Sequence, residues 1–326
     1  MVSDGRMAVA VRPSAPLRVP SRRPRLIAVD VVLLSYLAVA SAVAIHRTPA
    51  QPGCWWLVAA NALIAGLIPL LTRPGLGRVG RTLREIYPLL LLVGLYGQLD
   101  VLNGAGMTVH DALVQRWELA LFGAQLSREW WRAAPSALWS TVLHAAYFGY
   151  YFIVSIPAFY FLWRGDVVAV RRFVLAVMTT FVLCYLVFIF FPVAGPYYVF
   201  PRPAAWFRDN PAARLVYRVL AEGSSYGAAF PSSHVAASIA AVLAAARSSR
   251  RLGLALVLPT VLLTVGVVYC QMHYGVDAVA GLGLGWIVAT AMGRVRSESP
   301  EPFAPAQGRL REGGMPRGTP PSLHPG

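Results

Sequence analysis

Apolar residues fall into eight long blocks along this chain, near positions 26–45, 54–72, 86–103, 137–163, 171–191, 233–247, 252–271 and 275–293. Runs of roughly 18–25 residues with few charges match what a helix needs to cross about 30 Å of hydrocarbon. The sixth block is short. The pattern predicts an all-α, polytopic integral membrane helical bundle with about eight transmembrane helices. Composition agrees: 57% of the 326 residues are hydrophobic and 13% charged, far too apolar for an ordinary soluble domain. From Ser297 the chain is rich in Pro, Gly and charge without apolar periodicity, and residues 1–24 read the same way. Both ends are expected to be disordered tails.

A net charge of +15 changes the picture only through its distribution. Every basic residue is Arg, and 21 of the 29 fall before block one, between blocks two and three, four and five, and six and seven, or after block eight. Basic residues in alternate loops follow the positive-inside rule with both termini cytoplasmic. The charge therefore reports topology, and no nucleic-acid partner is expected. Loops 104–136 and 192–232 become extracytoplasmic, in the cell (plasma) membrane. Ala40-Ser41-Ala42 resembles a signal cleavage site, but the run before it, about 20 residues, is longer than a usual signal core. Cys54, Cys184 and Cys270 have no metal-ligand spacing. Cys54 and Cys270 fall on one predicted side, where a disulfide could form, although isolated small apolar residues are the plainer reading. No internal repeat or nucleotide-binding glycine loop is apparent.

Chemistry collects on the predicted outer face. The stretch AAFPSSHVAAS (228–238) sets Ser232, Ser233 and His234 at the mouth of block six. CQMHYGVDAVAG (270–281) turns from block seven into block eight and carries His273 and Asp277. The arginine-based topology thus brings both histidines and the aspartate to one membrane surface. Each piece has a plain structural reading. A lone interfacial histidine commonly serves as an amphipathic anchor, serines after a proline cap a helix, and a His/Asp pair at i, i+4 can be a structural lock. Together they form a chemical unit. A carboxylate on one ring nitrogen leaves the other as nucleophile or base, and a second histidine can protonate a leaving group. The start of a helix is a ready anion site. Such a set suits phosphoryl transfer through a phosphohistidine, with amides and arginines neutralising the phosphate, no metal and no cofactor.

FPSSH followed by HYGVDAVAG resembles the membrane type-2 phosphatidic acid phosphatase (PAP2) superfamily, and most closely its branch of inositol phosphorylceramide synthases. The likeness is firm over about 190–285 and weaker over 85–165, where WELALFG and HAAYFGYYFIVSIP have that branch's character. It implies a six-helix catalytic core. His273 would attack phosphorus, Asp277 would orient it, and His234 would protonate the departing alcohol. Ser232 and Ser233 would hold phosphate. The sequence departs from the phosphatase pattern in having no Lys at all and Val267 where an Arg is usual. Arg202, in FPVAGPYYVFPRP (191–203), is the candidate phosphate clamp, with Arg208, Arg214 and Arg218 as rivals and a snorkelling role as its plain reading.

These readings divide the chain into a basic cytoplasmic tail (1–24), two accessory transmembrane helices (25–84), a PAP2-like catalytic domain (85–296) and a second cytoplasmic tail (297–326). The expected function is a lipid phosphatase or phosphotransferase acting on a membrane lipid phosphate, with water or an alcohol or polyol as acceptor. Two alternatives compete. An intramembrane serine protease would leave Asp277 without a role and lacks a glycine-flanked nucleophile turn. A transporter or heme-binding membrane protein would need His273 as a ligand although a carboxylate already partners it, and no inverted repeat is apparent. Oligomeric state is not legible in the sequence.

Overall fold

The computed structural model describes residues 26–73, 75–104 and 107–294; both expected tails lie outside the described residues. In chain order the helices are α1 (Ala28–Arg47), α2 (Cys54–Leu71), α3 (Arg78–Leu102), α4 (Asp111–Phe122), α5 (Leu126–Ala133), α6 (Ala137–Phe148) and α7 (Tyr150–Trp163). They continue with α8 (Val167–Phe190), α9 (Pro196–Val199), α10 (Ala205–Arg208), α11 (Pro211–Gly223), α12 (Ser233–Ser248), α13 (Arg250–Tyr269) and α14 (Gly275–Met292). The fold is all-α, with no strand among the described residues.

Each apolar block became helical, with instructive differences. Six helices (α1, α2, α3, α8, α13 and α14) are long and apolar enough to cross a membrane. Block four is broken at Gly149, so α6 and α7 meet at a 41° bend and pass as a seventh span only when joined. Block six forms α12, whose 16 residues cover about 24 Å, short of a full hydrocarbon core. Among the described residues, length and composition therefore give six spans, or seven with α6 and α7 joined, and not eight.

Helix α3 starts at Arg78, two turns before the apolar block, because its charges find partners. Arg84 pairs with buried Asp30 of α1, which also accepts from Tyr87 Oη at 2.6 Å. Glu85 accepts from Arg171 of α8 at 2.7 and 2.8 Å. A charge taken out of water is costly unless paired, so these contacts let the helix run on through its arginines. At the other end, Arg47 of α1 donates to the carbonyls of Leu102 and Ile189, where helix C-termini carry partial negative charge.

Helix α12 sits against α7, α8, α13 and α14. Its core-facing residues include Ala236, Ala237, Ala240, Ala241, Ala244 and Ala245, small enough for backbones to close up. Opposite them a Cβ on Gly281 would stand 2.6 Å from Ser232 O, and one on Gly285 would collide with Ala236 O. Packing of α14 on α12 thus depends on absent side chains, and it fixes the two motif-bearing helix starts side by side. The loops expected over 104–136 and 192–232 are largely helical, as α4–α5 and α9–α11. They were unreadable by span length because each is short.

Candidate functional site

The turn between α13 and α14 delivers His273. Its backbone N–H donates to Val267 O at 2.8 Å, folding the chain back over the last turn of α13. Gln271 takes a left-handed φ of 60°, which is sparsely populated for a residue with a Cβ. Both ends of its side chain are held: Nε2 donates to Pro201 O at 2.9 Å, and Oε1 accepts from Trp131 Nε1 at 3.2 Å.

His273 is 5% exposed, and its Nδ1 lies 2.9 Å from Ala229 O and 3.4 Å from Asp277 Oδ2. A carbonyl oxygen can only accept, so Nδ1 carries the hydrogen and Nε2 keeps the lone pair. Asp277, at 0% exposure, occupies the third position of α14, where Oδ2 also accepts from Tyr274 N–H at 2.9 Å. Its Oδ1 has no partner among the described residues. The expected His273–Asp277 contact is present, but the shorter bond goes to the Ala229 backbone. No side-chain motif could have disclosed that partner.

Ala229 is placed by a short parallel bridge. Val193 N–H donates to Gly227 O at 3.0 Å and Ala229 N–H to Val193 O at 2.9 Å. Gly195 closes the same segment with φ +89°, and a Cβ there would stand 2.7 Å from Ala229 Cβ. Beyond it the Phe230–Pro231 bond is cis. Ser232 is the N-cap of α12, its Oγ accepting from Val235 N–H at 3.5 Å, and its own N–H donates to Asp277 O at 3.0 Å. That bond ties the two motifs together directly. The amides of Ser233 and His234 have no acceptor among the described residues. The His234 ring lies 5.6 Å from that of His273, centroid to centroid, with Tyr147 at 4.8 Å and Tyr150 at 4.6 Å. Its buried Nδ1 is unpartnered among the described residues.

Two carboxylates on α4 support the site. Asp111 accepts from the amides of Ala194 and Gly195, both at 2.8 Å, and from Tyr274 Oη at 3.0 Å. Glu118 accepts from Gly275 N–H at 3.0 Å and Val276 N–H at 2.8 Å. The first amides of α14 are therefore occupied by protein, whereas those of Ser233 and His234 in α12 have no acceptor among the described residues. Asp111, Val114 and Glu118, all buried, follow the i, i+3, i+7 spacing of one helix face. That was the available signal.

Arg202 is exposed, and its guanidinium lies 3.5 Å from the Tyr197 ring centroid. It forms no ion pair among the described residues. Arg208 donates to Pro203 O at 2.7 Å, and Arg214 pairs with Asp209 at 3.3 Å. Arg218 is exposed on α11. Arg202 thus sits on the segment that follows Gly195, over the rings of Tyr197 and Tyr217 and without a carboxylate partner among the described residues. All three cysteines are buried and free. Cys270 Sγ lies 3.5 Å from His144 Nδ1. Cys54 and Cys270 are not joined to each other.

The arrangement offers one imidazole with a fixed lone-pair nitrogen, a second imidazole beside it, and open helix amides between them and the backbone. Anions are stabilised at such helix starts. A sequence profile described as PAP2 superfamily matches residues 113–291. No curated protein and no solved structure matches the chain.

Proposed function

The chain belongs to the PAP2 superfamily, and from that premise we propose that it is a membrane lipid phosphatase or phosphotransferase working through a phosphohistidine. One observation supports this most. His273 Nδ1 is committed to Ala229 O at 2.9 Å, so the other nitrogen is left as the nucleophile, next to His234 and the unclaimed amides of Ser233 and His234. In the first step Nε2 of His273 attacks the phosphorus of a lipid phosphate ester. The P–O bond to the alcohol breaks, and His234 gives its proton to the leaving oxygen. In the second step His234 takes a proton from the incoming hydroxyl, whose oxygen attacks phosphorus, and the P–N electron pair returns to His273. Water as acceptor gives a phosphatase. An alcohol or polyol acceptor gives head-group transfer, as in the inositol phosphorylceramide synthases that the two motifs resemble. Residues 85–296 would form the catalytic unit, with Arg202 and the serines on the phosphate. Neither Ser232 nor Ser233 hydrogen-bonds His234 among the described residues, which argues against a Ser–His protease dyad.

Turnover of phosphatidic acid by the purified protein tests the reading. Activity should persist in EDTA, because amides and guanidinium groups are the anion partners in this proposal. It should be blocked by vanadate, a mimic of the pentacoordinate transition state. Loss in EDTA with recovery on adding a divalent ion would refute the metal-free mechanism.

We place the site on the extracytoplasmic side because 21 of the 29 arginines fall in the alternate loops that the positive-inside rule assigns to the cytoplasm. Reporters fused after Arg84 and Arg251 should be cytoplasmic, and one fused near Asp209 external. A cytoplasmic reporter at Asp209 would overturn this sidedness.

A further inference from the structure

Between α3 and α7 lies an apolar cavity of about 160 Å³. Ile86, Leu89 and Leu92 form one wall, and Tyr150, Val154 and Ala158 the other. Its rim includes Leu90 and Phe159, each 57% exposed on the outside of the bundle. The lining also includes Tyr150, whose ring is 4.6 Å from that of His234. The cavity wall on the flank of the bundle therefore includes a side chain that packs against His234. The bend at Gly149 sets α7 at 41° to α6 just where Tyr150 begins the wall. Ser155, also on the lining, donates its hydroxyl to Tyr151 O at 2.6 Å and so presents no free donor.

The occupant must be apolar, narrow and continuous with a phosphate at His234. A protein helix is about 10–12 Å across with its side chains, too wide for this volume. A flexible hydrocarbon chain fits. From Tyr150 to Phe159 α7 rises about 13 Å, a substantial stretch of acyl chain. We propose that one acyl chain of the phosphorylated lipid lies in this α3–α7 groove, with its phosphate end passing Tyr150 to reach His234 and His273. The proposal rests on the phosphotransfer reading for the identity of the lipid. In a bilayer the groove gains little from the hydrophobic effect, since surrounding lipid is equally apolar. Its contribution is alignment of the phosphate on the nucleophile. Helix α3 lies outside the family-matched residues 113–291, so chain preference would be set partly by this protein's own N-terminal region.

The test uses the full chain in phosphatidylcholine vesicles with phosphatidic acid bearing a diazirine midway along one acyl chain. After photolysis and peptide mapping, label is expected on Ile86–Leu92 and Val154–Phe159, and excess unlabelled phosphatidic acid should remove it. Labelling spread evenly over lipid-facing positions such as Leu258 and Trp286, and not displaced, would overturn the groove. Competed labelling in a protein with no turnover would retain the groove while removing the phosphotransfer reading. Leu89→Trp and Ser155→Phe, from opposite walls, should each lower the ratio of long-chain to dibutyryl phosphatidic acid turnover at least about tenfold, as expected for a misaligned reacting centre. Leu258→Trp on the outer face of α13 should leave that ratio where it was. Equal losses on both substrates in the two groove variants would count against the proposal.

Discussion

His273→Ala is expected to lose turnover on every phosphate ester, whatever its leaving group, by a factor on the order of 10⁶ as when a covalent nucleophile is removed. The reason is geometric. Ala229 O holds Nδ1 of this ring at 2.9 Å, so its Nε2 is the nitrogen whose lone pair is fixed by a protein partner. The Nδ1 of His234 is buried and unpartnered among the described residues, so that ring has no equivalent orientation. Asp277→Asn serves as the graded control. The backbone bond that sets the His273 tautomer survives the change, while the negative charge 3.4 Å from the ring is lost, so activity should be reduced and not abolished. Rapid quench with a radiolabelled lipid phosphate should give an acid-labile phosphohistidine that maps to 273. Residual turnover in His273→Ala, or label at another residue, would remove His273 as nucleophile.

Much of this site was legible because its chemistry is written in side chains that membrane helices rarely carry. His234, His273 and Asp277 were conspicuous in apolar surroundings, and alternate arginine loops put them at one end of the bundle. The structure brings them together: Ser232 N–H to Asp277 O at 3.0 Å joins the two motifs. What stayed hidden was carried by backbone or by pairing. Ala229 orients His273 through its carbonyl, which any residue would supply. Arg84 looked like a loop residue until Asp30, 54 positions earlier, was seen to hold it. The break at Gly149 lies inside an uninterrupted apolar run, and hydropathy does not register bends. Asp111 and Glu118 give no signal by span length because α4 is only 12 residues long.

Glu118 and Asp111 also explain why phosphate should settle at α12. Both candidate helix starts, those of α12 and α14, present amides and the positive end of a dipole. Glu118 occupies Gly275 and Val276 of α14, and Asp111 takes Ala194 and Gly195 at the edge of α9. Each would repel an anion from the amides it covers. The amides of Ser233 and His234 remain without an acceptor among the described residues. In the proposed mechanism the acidic residues of α4 would act by exclusion, directing an anion toward the histidines.

His234→Ala is expected to form the phosphoenzyme about 10²–10⁴-fold more slowly from alkyl phosphates, the usual worth of general acid catalysis, yet to recover much of that first-turnover rate on nitrophenyl phosphate. The Tyr147 and Tyr150 rings flank the imidazole at 4.8 and 4.6 Å, and its Nδ1 is sealed in the interior without a partner among the described residues. Nε2 is then the nitrogen left to exchange a proton with the substrate. An alkoxide leaves poorly without that proton, whereas nitrophenolate is stable enough to depart unaided. The variant keeps His273, so the covalent intermediate should still form on the aryl ester and map to 273. Its breakdown should become the slow step, because no base remains to activate the incoming hydroxyl, and burst kinetics on nitrophenyl phosphate would report that change. Equal losses in the first-turnover rate on alkyl and aryl esters would show that His234 is not the acid, and rescue by the aryl ester in His273→Ala instead would exchange the roles of the two rings.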